Sequence, residues 1–253
     1  MTNSIGKATR LVFIPKASGN TLVEVKEVTF DWHKGMSFQV RQRSLQSLHE
    51  NIKAQKIAQK PLEISSKSFE ELGVRLSAFN LAGTIPEKNN KFTVETIFQS
   101  SKVFKNDPKS PYRDILTKTS REAKQDERLK DKSLVCFDYF GLKWELEPKT
   151  AFYDWVYINV LENFNKNLAE GIMHYDAFTD IEFNHNKSIN CQAYSVALYQ
   201  ALKSRGGLIE DFTDSKIPLK ERQANFLAII NDFDEYKGIG KAESVNNSQG
   251  NLI

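Results

Sequence analysis

The chain has 253 residues, of which 40% are hydrophobic and 26% are charged, a balance typical of a globular protein. Its net charge of +3 permits contact with nucleic acid but is too small to indicate a dedicated nucleic-acid binder. No apolar run is long enough for a membrane span, and no signal-peptide core precedes the first strand. We therefore expect a cytoplasmic protein whose two cysteines, Cys136 and Cys191, are free buried thiols.

Local patterns predict an α+β fold with more helix than strand. Residues 10–14 and 22–30 have the composition of strands, and residues 134–147 predict an aromatic-rich hairpin with its turn at Gly141. Helical periodicity and helix-end residues predict helices at 37–60, 93–105, 110–118, 120–130, 150–168, 188–204 and 218–233. Strands and helices do not alternate strictly, which argues against a doubly wound sheet.

The most informative helix is predicted at 93–105. Glu95, Gln99 and Lys102 are four and three residues apart, so a continuous helix would align them on one face at the edge of the core. Glu95 and Lys102 would then lie roughly 10 Å apart along the axis, a separation that suits joint contact with a ligand better than an ion pair. The same spacing is common on solvated helix faces that bind nothing.

Several standard sites are missing from the sequence. It has no glycine-rich phosphate loop, no HExxH or paired-cysteine motif, and no GxSxG elbow. The four histidines are scattered along the chain. We therefore predict neither a metal site nor a cofactor.

A set of motifs nevertheless recurs in a recognisable order. LSAFN at 76–80 is followed by E-x-x-F-Q-x-x-K at 95–102. The later motifs are Ala123-Lys124 with Arg128, Asp154-Trp155 with Phe164, and finally Asp180 and Asn190. Together they resemble the NADAR superfamily over about residues 67–205. Two motifs depart from the family pattern, since Ser77-Ala78-Phe79 replaces S-N-F and SINCQA replaces a glycine-rich segment.

Longer segments resemble one branch of that superfamily, the NADAR antitoxins encoded beside DarT-type toxins that ADP-ribosylate guanine in DNA. These segments are FDWHKGMSF, LEISSKS, LSAFNL, EPKTAFYDW and YDAFTDIEFNHNKSINCQA. The resemblance implies a predominantly helical NADAR core at 67–236 with small β-hairpin elements. It also implies an N-terminal extension of strands and a helix at 1–66, and we expect the polar tail at 237–253 to be disordered.

The resemblance further implies an N-glycosidase that removes ADP-ribose from modified guanine in DNA and so acts as an antitoxin. ADP-ribosylated DNA would be the substrate, ADP-ribose the product ligand, and a DarT-type toxin the functional partner. Cleavage through an oxocarbenium-like transition state needs a carboxylate and a proton donor, for which we select Glu95 and Asp154. Lys102 is the third catalytic candidate, either as an anchor for phosphate or ribose, or as an amine that forms a Schiff base.

The remaining candidates are substrate-binding residues. They are Ser77, Phe79, Asn80, Gln99, Lys124, Trp155, Asp180 and Asn190. Phe79 and Trp155 would stack on a base or simply pack in the core. With Ser188 as N-cap of the helix at 188–204, Asn190 would lie in its first turn, near a bound pyrophosphate or merely within the cap.

Two other functions fit the same residues. One is a NADAR hydrolase that acts on a small nucleotide or an ADP-ribose derivative. The other is a non-catalytic module that binds ADP-ribose or sequesters a toxin. Two acids and a lysine together favour catalysis, because a pure binding module does not need them. The N-terminal segment 1–66 favours a macromolecular substrate over a metabolite, although it could equally serve as a structural lid.

Overall fold

The computed structural model describes residues 5–85, 90–184 and 189–233. It has an α+β fold with 43% helix and 21% strand, which confirms the predicted class and the excess of helix. The strands in these ranges are β1 (Ile5–Pro15), β2 (Val23–His33), β3 (Pro61–Glu63), β4 (Ala82–Ile85), β5 (Asn90–Thr93), β6 (Lys102–Phe104), β7 (Leu134–Tyr139), β8 (Leu142–Trp144) and β9 (Ala177–Thr179). The helices are α1 (Phe38–Ala54), α2 (Glu71–Arg75), α3 (Val94–Ser100), α4 (Ser120–Lys124), α5 (Ala151–Phe164), α6 (Lys166–Ile172), α7 (Gln192–Ser204), α8 (Glu210–Thr213) and α9 (Leu219–Asp232), with short 3-10 turns at Arg113–Thr117 and Glu127–Leu129.

The N-terminal strands belong to the main sheet. β1 and β2 form a long antiparallel pair, and the sheet continues in the order β2-β1-β9-β3. β9 is antiparallel to β1 and parallel to β3, so a strand from residues 177–179 lies between two strands from the first 66 residues. Phe13 and Leu22 accordingly lie in the same apolar cluster as the central helices. The division at residue 66 remains a prediction from the sequence.

The centre of the molecule is the pair of helices α5 and α7. Nearly all side chains of α5 from Ala151 to Leu161 are buried, as are those of α7 from Ala193 to Leu202. Aromatic rings extend this core to the β7–β8 hairpin, where Phe137 stacks on Phe152 with ring centroids 4.7 Å apart. Such pairs contribute about 0.5–1.5 kcal/mol beyond the area they bury. The packing fixes the first turn of α5 next to α3, and these two elements form part of the candidate site.

One predicted helix ends early. The helix expected at 93–105 stops at Ser100, and Lys102 begins strand β6, where it pairs with Phe137. The hydroxyls of Ser100 and Ser101 donate to the Ile97 carbonyl at 3.0 and 2.8 Å, which satisfies an acceptor at the helix end. The prediction that Lys102 shares a helical face with Glu95 and Gln99 is therefore wrong.

A second helix begins later than predicted. Helix α7 starts at Gln192 with Cys191 as its N-cap, so Asn190 precedes the helix and does not lie in its first turn. The proposed cap Ser188 and the tail 237–253 lie outside the described residues. The long helix predicted at 150–168 is two helices separated at Asn165, whose side-chain amide donates to the carbonyl of Ala82 at 2.8 Å.

Other local predictions are confirmed. The hairpin turns at Gly141, the last helix begins directly after Pro218, and Cys136 and Cys191 are free and buried. In the described ranges no helix combines the length and the apolar character that crossing a bilayer requires.

Candidate active site

A cleft of about 910 Å³ opens beside α3, the first turn of α5 and the segment that precedes α7. Its volume lies within the range of about 300–1,000 Å³ that small-molecule sites occupy. Nine of the eleven predicted site residues line it: Ser77, Phe79, Asn80, Glu95, Gln99, Lys102, Lys124, Asp180 and Asn190. The order of motifs in the sequence therefore corresponds to a single concave surface.

Glu95 is the buried acid of the cleft. Its residue is only 6% exposed, and its Oε1 accepts a hydrogen bond from Gln99 Nε2 at 2.8 Å. Burial raises the pKa of Glu95, while the hydrogen bond from Gln99 and the charges of Lys124 and Lys102 oppose the rise. A carboxyl that keeps its proton to higher pH suits acid–base chemistry near neutrality. Within the described residues Gln99 Oε1 is buried without a hydrogen-bond partner, so an unsatisfied acceptor lies beside Glu95.

Lys102 reaches the same cleft from strand β6. Its Nζ lies 4.9 Å from the centre of the Phe98 ring, against the apolar wall. Burial lowers the pKa of Lys102, the charge of Glu95 opposes this change, and the charge of Lys124 adds to it. The ion pairs of the described residues include none within 4.0 Å between Lys102 and Glu95. The amine is thus partly desolvated, and within the described ranges no carboxylate forms an ion pair with it.

Asp154 does not line the cleft. It is 0% exposed and lies between α5 and α7, where it accepts hydrogen bonds from Thr150 Oγ1 at 2.7 Å and Ser195 Oγ at 2.5 Å. Thr150, which does line the cleft, connects Asp154 to the site. We expected Asp154 beside the reacting atoms, but it lies behind the cleft wall, with Thr150 between it and the cleft. There it joins the two central helices through hydroxyl groups from both.

Trp155 also lies outside the cleft. Its residue is 1% exposed, and its ring packs against Tyr139 and Trp144 with centroids 5.2 Å away in each case. Because neither face of the ring is open, a base has no room to stack on it. Of the two roles considered for Trp155, packing in the core is therefore the one observed. Phe79 differs, since it is only partly buried and has the Nζ of Lys124 5.2 Å from its ring centre.

The family model for DarT1-associated NADAR antitoxins matches residues 8–237. The chain belongs to this family. Its membership confirms the suspected branch and supports an antitoxin role associated with DarT1. No curated protein matches the sequence. The matched range contains the whole cleft and most of the N-terminal strands.

Asp180 of the antitoxin is a second buried acid in the cleft wall. Its Oδ1 accepts from the backbone N–H of Glu182 at 3.0 Å, and its Oδ2 accepts from Gln192 Nε2 at 2.9 Å. Burial raises the pKa of Asp180, and the hydrogen bond from Gln192 opposes the rise. Directly behind it Glu63 is fully buried, and both burial and the nearby Asp180 raise the pKa of Glu63. The hydrogen bonds from Glu182 and Gln192 fix the Asp180 carboxylate in one orientation.

Gln192 is a site residue that the sequence did not reveal. Its Oε1 accepts from the Ala78 N–H at 2.8 Å, and its Nε2 also donates to the Ile64 carbonyl at 2.5 Å. One side chain therefore joins the residue after β3, the turn after α2 and Asp180. Its position at the start of a helix in the motif SINCQA was the available signal, because polar side chains there often bond to neighbouring backbone.

The cleft has two further groups of residues that were not predicted. The rings of Phe98, Phe137, Phe152 and Tyr153 form an apolar wall, and Arg121 and Lys149 add positive charge to that of Lys124. A wall of rings with cations beside it can hold a nucleotide by its base and its phosphates. In the described part of the chain no three His, Cys, Asp or Glu side chains are grouped so as to hold a metal ion.

Proposed function

We propose that this antitoxin is an ADP-ribose N-glycosidase that removes ADP-ribose from modified guanine in DNA and thereby reverses the action of its toxin in the cytoplasm. The observation that carries the proposal is the pairing of Glu95 and Lys102 in one cleft of nucleotide size. Burial shifts the pKa of each toward neutrality, from opposite directions. These shifts favour an acid that can donate a proton and an amine that can act as a nucleophile, the two groups that a covalent route to this cleavage uses.

The reaction adds one water molecule across the bond between the anomeric carbon and a guanine nitrogen. Protonated Glu95 gives its proton to the departing nitrogen while the neutral amine of Lys102 attacks the anomeric carbon. The bond from the anomeric carbon to guanine breaks, and the sugar is held on Lys102 as a protonated glycosylamine. One of its N–H protons passes to the ring oxygen as the ring opens to a protonated imine. The Glu95 carboxylate then activates water, which hydrolyses the imine and releases ADP-ribose and the free amine.

The covalent role of Lys102 is favoured over the anchoring role. An anchor for a diphosphate works best as a fully charged ammonium group, whereas burial lowers the pKa of Lys102. Three other cations, Arg121, Lys124 and Lys149, line the same cleft, and we assign the phosphates to them. We therefore assign Lys102 to attack on the anomeric carbon.

The other predicted residues position the substrate. Phe79 offers a partly exposed ring for a base, with the Lys124 ammonium above it. The fixed carboxylate of Asp180 accepts from ribose hydroxyls, and the unsatisfied Gln99 Oε1 accepts a further N–H or O–H when the substrate is bound. Asp154 acts from behind the cleft, as it holds α5 and α7 together at the level of Thr150. No cofactor is needed, since water is the only co-substrate.

The test is the release of ADP-ribose from guanosine-ADP-ribosylated DNA by the purified protein, measured by liquid chromatography. We expect turnover in buffer without NAD or divalent metal. Glu145→Gln serves as a matched control for Glu95, because Glu145 also lines the cleft but is exposed and paired with Lys143 at 2.7 Å. Release from a modified mononucleotide but not from DNA would indicate the small-nucleotide hydrolase instead. Binding of ADP-ribose without any turnover would indicate the non-catalytic module.

A further inference from the structure

The turn between β2 and α1 exposes two apolar side chains. Met36 is 88% exposed and Phe38 is 49% exposed. The backbone that presents them is well defined: Gly35 has a φ of 145°, which side-chain-bearing residues rarely adopt, and the hydroxyl of Ser37 caps the first turn of α1. Large apolar groups held out on an ordered turn indicate a contact surface.

Two contacts place this turn at the rim of the cleft. The Nζ of Lys67 lies 5.8 Å from the centre of the Phe38 ring, and the preceding residues Ser65 and Ser66 line the cleft. On the other side, Arg41 Nε lies 3.7 Å from an oxygen of Glu182, which also lines the cleft. We call the surface formed by Lys34, Met36, Phe38, Arg41 and Lys67 the wedge patch.

The wedge patch combines cations with exposed apolar groups. Arg41 stacks on the Trp32 ring at 4.4 Å, and its Nη2 contacts Met36 Sδ at 3.8 Å. In the described chain Arg41 Nη1 is buried without a hydrogen-bond partner. Lys34 is exposed and Lys67 partly so. Lysine and arginine beside aromatic faces match a nucleic-acid strand, in which anionic phosphates alternate with stacking bases.

The neighbouring cleft explains why an apolar wedge is useful here. A modified base within a duplex must leave the stack before it enters a concave site, and leaving the stack costs free energy. Proteins that open a base step often insert Phe or Met side chains between the bases. We propose, building on the function proposed above, that the wedge patch binds the DNA strand beside the modified guanosine. Phe38 and Met36 fill the space that the guanosine leaves, while Lys34 and Lys67 hold the adjacent phosphates. Arg41 supports the turn through its contacts with Trp32, Met36 and Glu182.

The first test measures DNA binding without catalysis. Fluorescence anisotropy of a labelled, unmodified single-stranded oligonucleotide gives the Kd of the full chain. We expect Met36→Ala/Phe38→Ala to raise the Kd at least tenfold, because the variant loses the aromatic ring on which a base stacks. Lys67→Ala should flatten the salt dependence by about one phosphate contact. Phe164→Ala is the matched control: Phe164 is 50% exposed and lies at the end of α5, about 17 Å along the axis from the cleft residue Tyr153.

The second test compares substrates. The double variant should lose at least tenfold in kcat/KM on modified duplex DNA and keep its rate on a modified mononucleoside, which is too small to reach the patch. An unchanged Kd for DNA, or equal losses on both substrates, would overturn the wedge patch. The wedge patch would also be overturned if the double variant bound DNA normally but lost binding to the purified DarT-type toxin or lost self-association. The patch would then be a protein interface. If the wild-type protein releases no ADP-ribose and the variant still loses DNA affinity, the proposed catalysis fails while the wedge patch stands.

Discussion

Replacing Glu95 with Gln removes the proton donor of the proposed reaction and changes little else. The two side chains have nearly the same volume, and the amide oxygen of Gln at this position can still accept from Gln99 Nε2, now 2.8 Å from the carboxylate. General acid catalysis by a positioned side chain contributes about 10²–10⁴-fold in rate. We therefore expect kcat to fall at least about a hundredfold, which corresponds to roughly 2.7 kcal/mol of activation free energy.

The loss of rate in Glu95→Gln should not be accompanied by a loss of stability. Because burial raises the folded pKa of Glu95, the folded state holds its proton to higher pH than the unfolded state does. Ionisation of Glu95 thus lowers the free energy of unfolding as pH rises from the unfolded pKa through the folded pKa. Glu95→Gln removes this loss, so above that window its melting temperature should equal or exceed that of the wild type.

The two quantities are measured on the same preparations. Single-turnover kinetics on modified DNA gives the rate of the chemical step, and thermal unfolding at pH 5 and pH 8 gives the stability. Affinity for ADP-ribose, measured by calorimetry, should be retained in Glu95→Gln. Near-normal turnover in a stable, ligand-binding variant would refute the assignment of Glu95 as the acid.

Four further outcomes are expected. Borohydride added during turnover should trap an ADP-ribosyl adduct at Lys102 that mass spectrometry detects and that Lys102→Arg abolishes. Substantial activity in Lys102→Arg without any adduct would mean that Lys102 is only an electrostatic anchor. Glu63→Gln should make stability to urea less dependent on pH, since the raised pKa of Glu63 predicts that wild-type stability falls as pH rises above the ordinary glutamate pKa. Phe152→Ala should lower the free energy of unfolding by about 3–5 kcal/mol in denaturant titrations. EDTA should leave the rate unchanged, and restoration of lost activity by zinc or magnesium would disprove a metal-free mechanism.

Features set by near neighbours were predictable from the sequence. The β7–β8 hairpin and its turn at Gly141 depend on residues within one short segment, and so does the pairing of Glu95 with Gln99 one helical turn apart. The nine cleft residues were found through the order of motifs, because no local rule connects residue 77 to residue 190.

Features set by distant contacts were not predictable. Lys102 reaches the cleft because its strand pairs with Phe137, and no periodicity within the segment indicates that partner. Asp154 is hidden by Ser195, a residue on another helix 41 positions later. The sheet order depends on β9, a strand of three residues inserted between β1 and β3. Such short strands carry almost no signal of their own, since non-local pairing determines their place.

The mass of the DNA after the reaction tests most directly that the antitoxin cleaves the N-glycosidic bond. A synthetic oligonucleotide with one ADP-ribosylated guanosine is incubated with the protein, and its intact mass is measured. We predict the mass of the unmodified oligonucleotide together with one equivalent of free ADP-ribose. A product that keeps ribose or phosphoribose on guanine, or an oligonucleotide whose mass does not change, would contradict the proposed reaction.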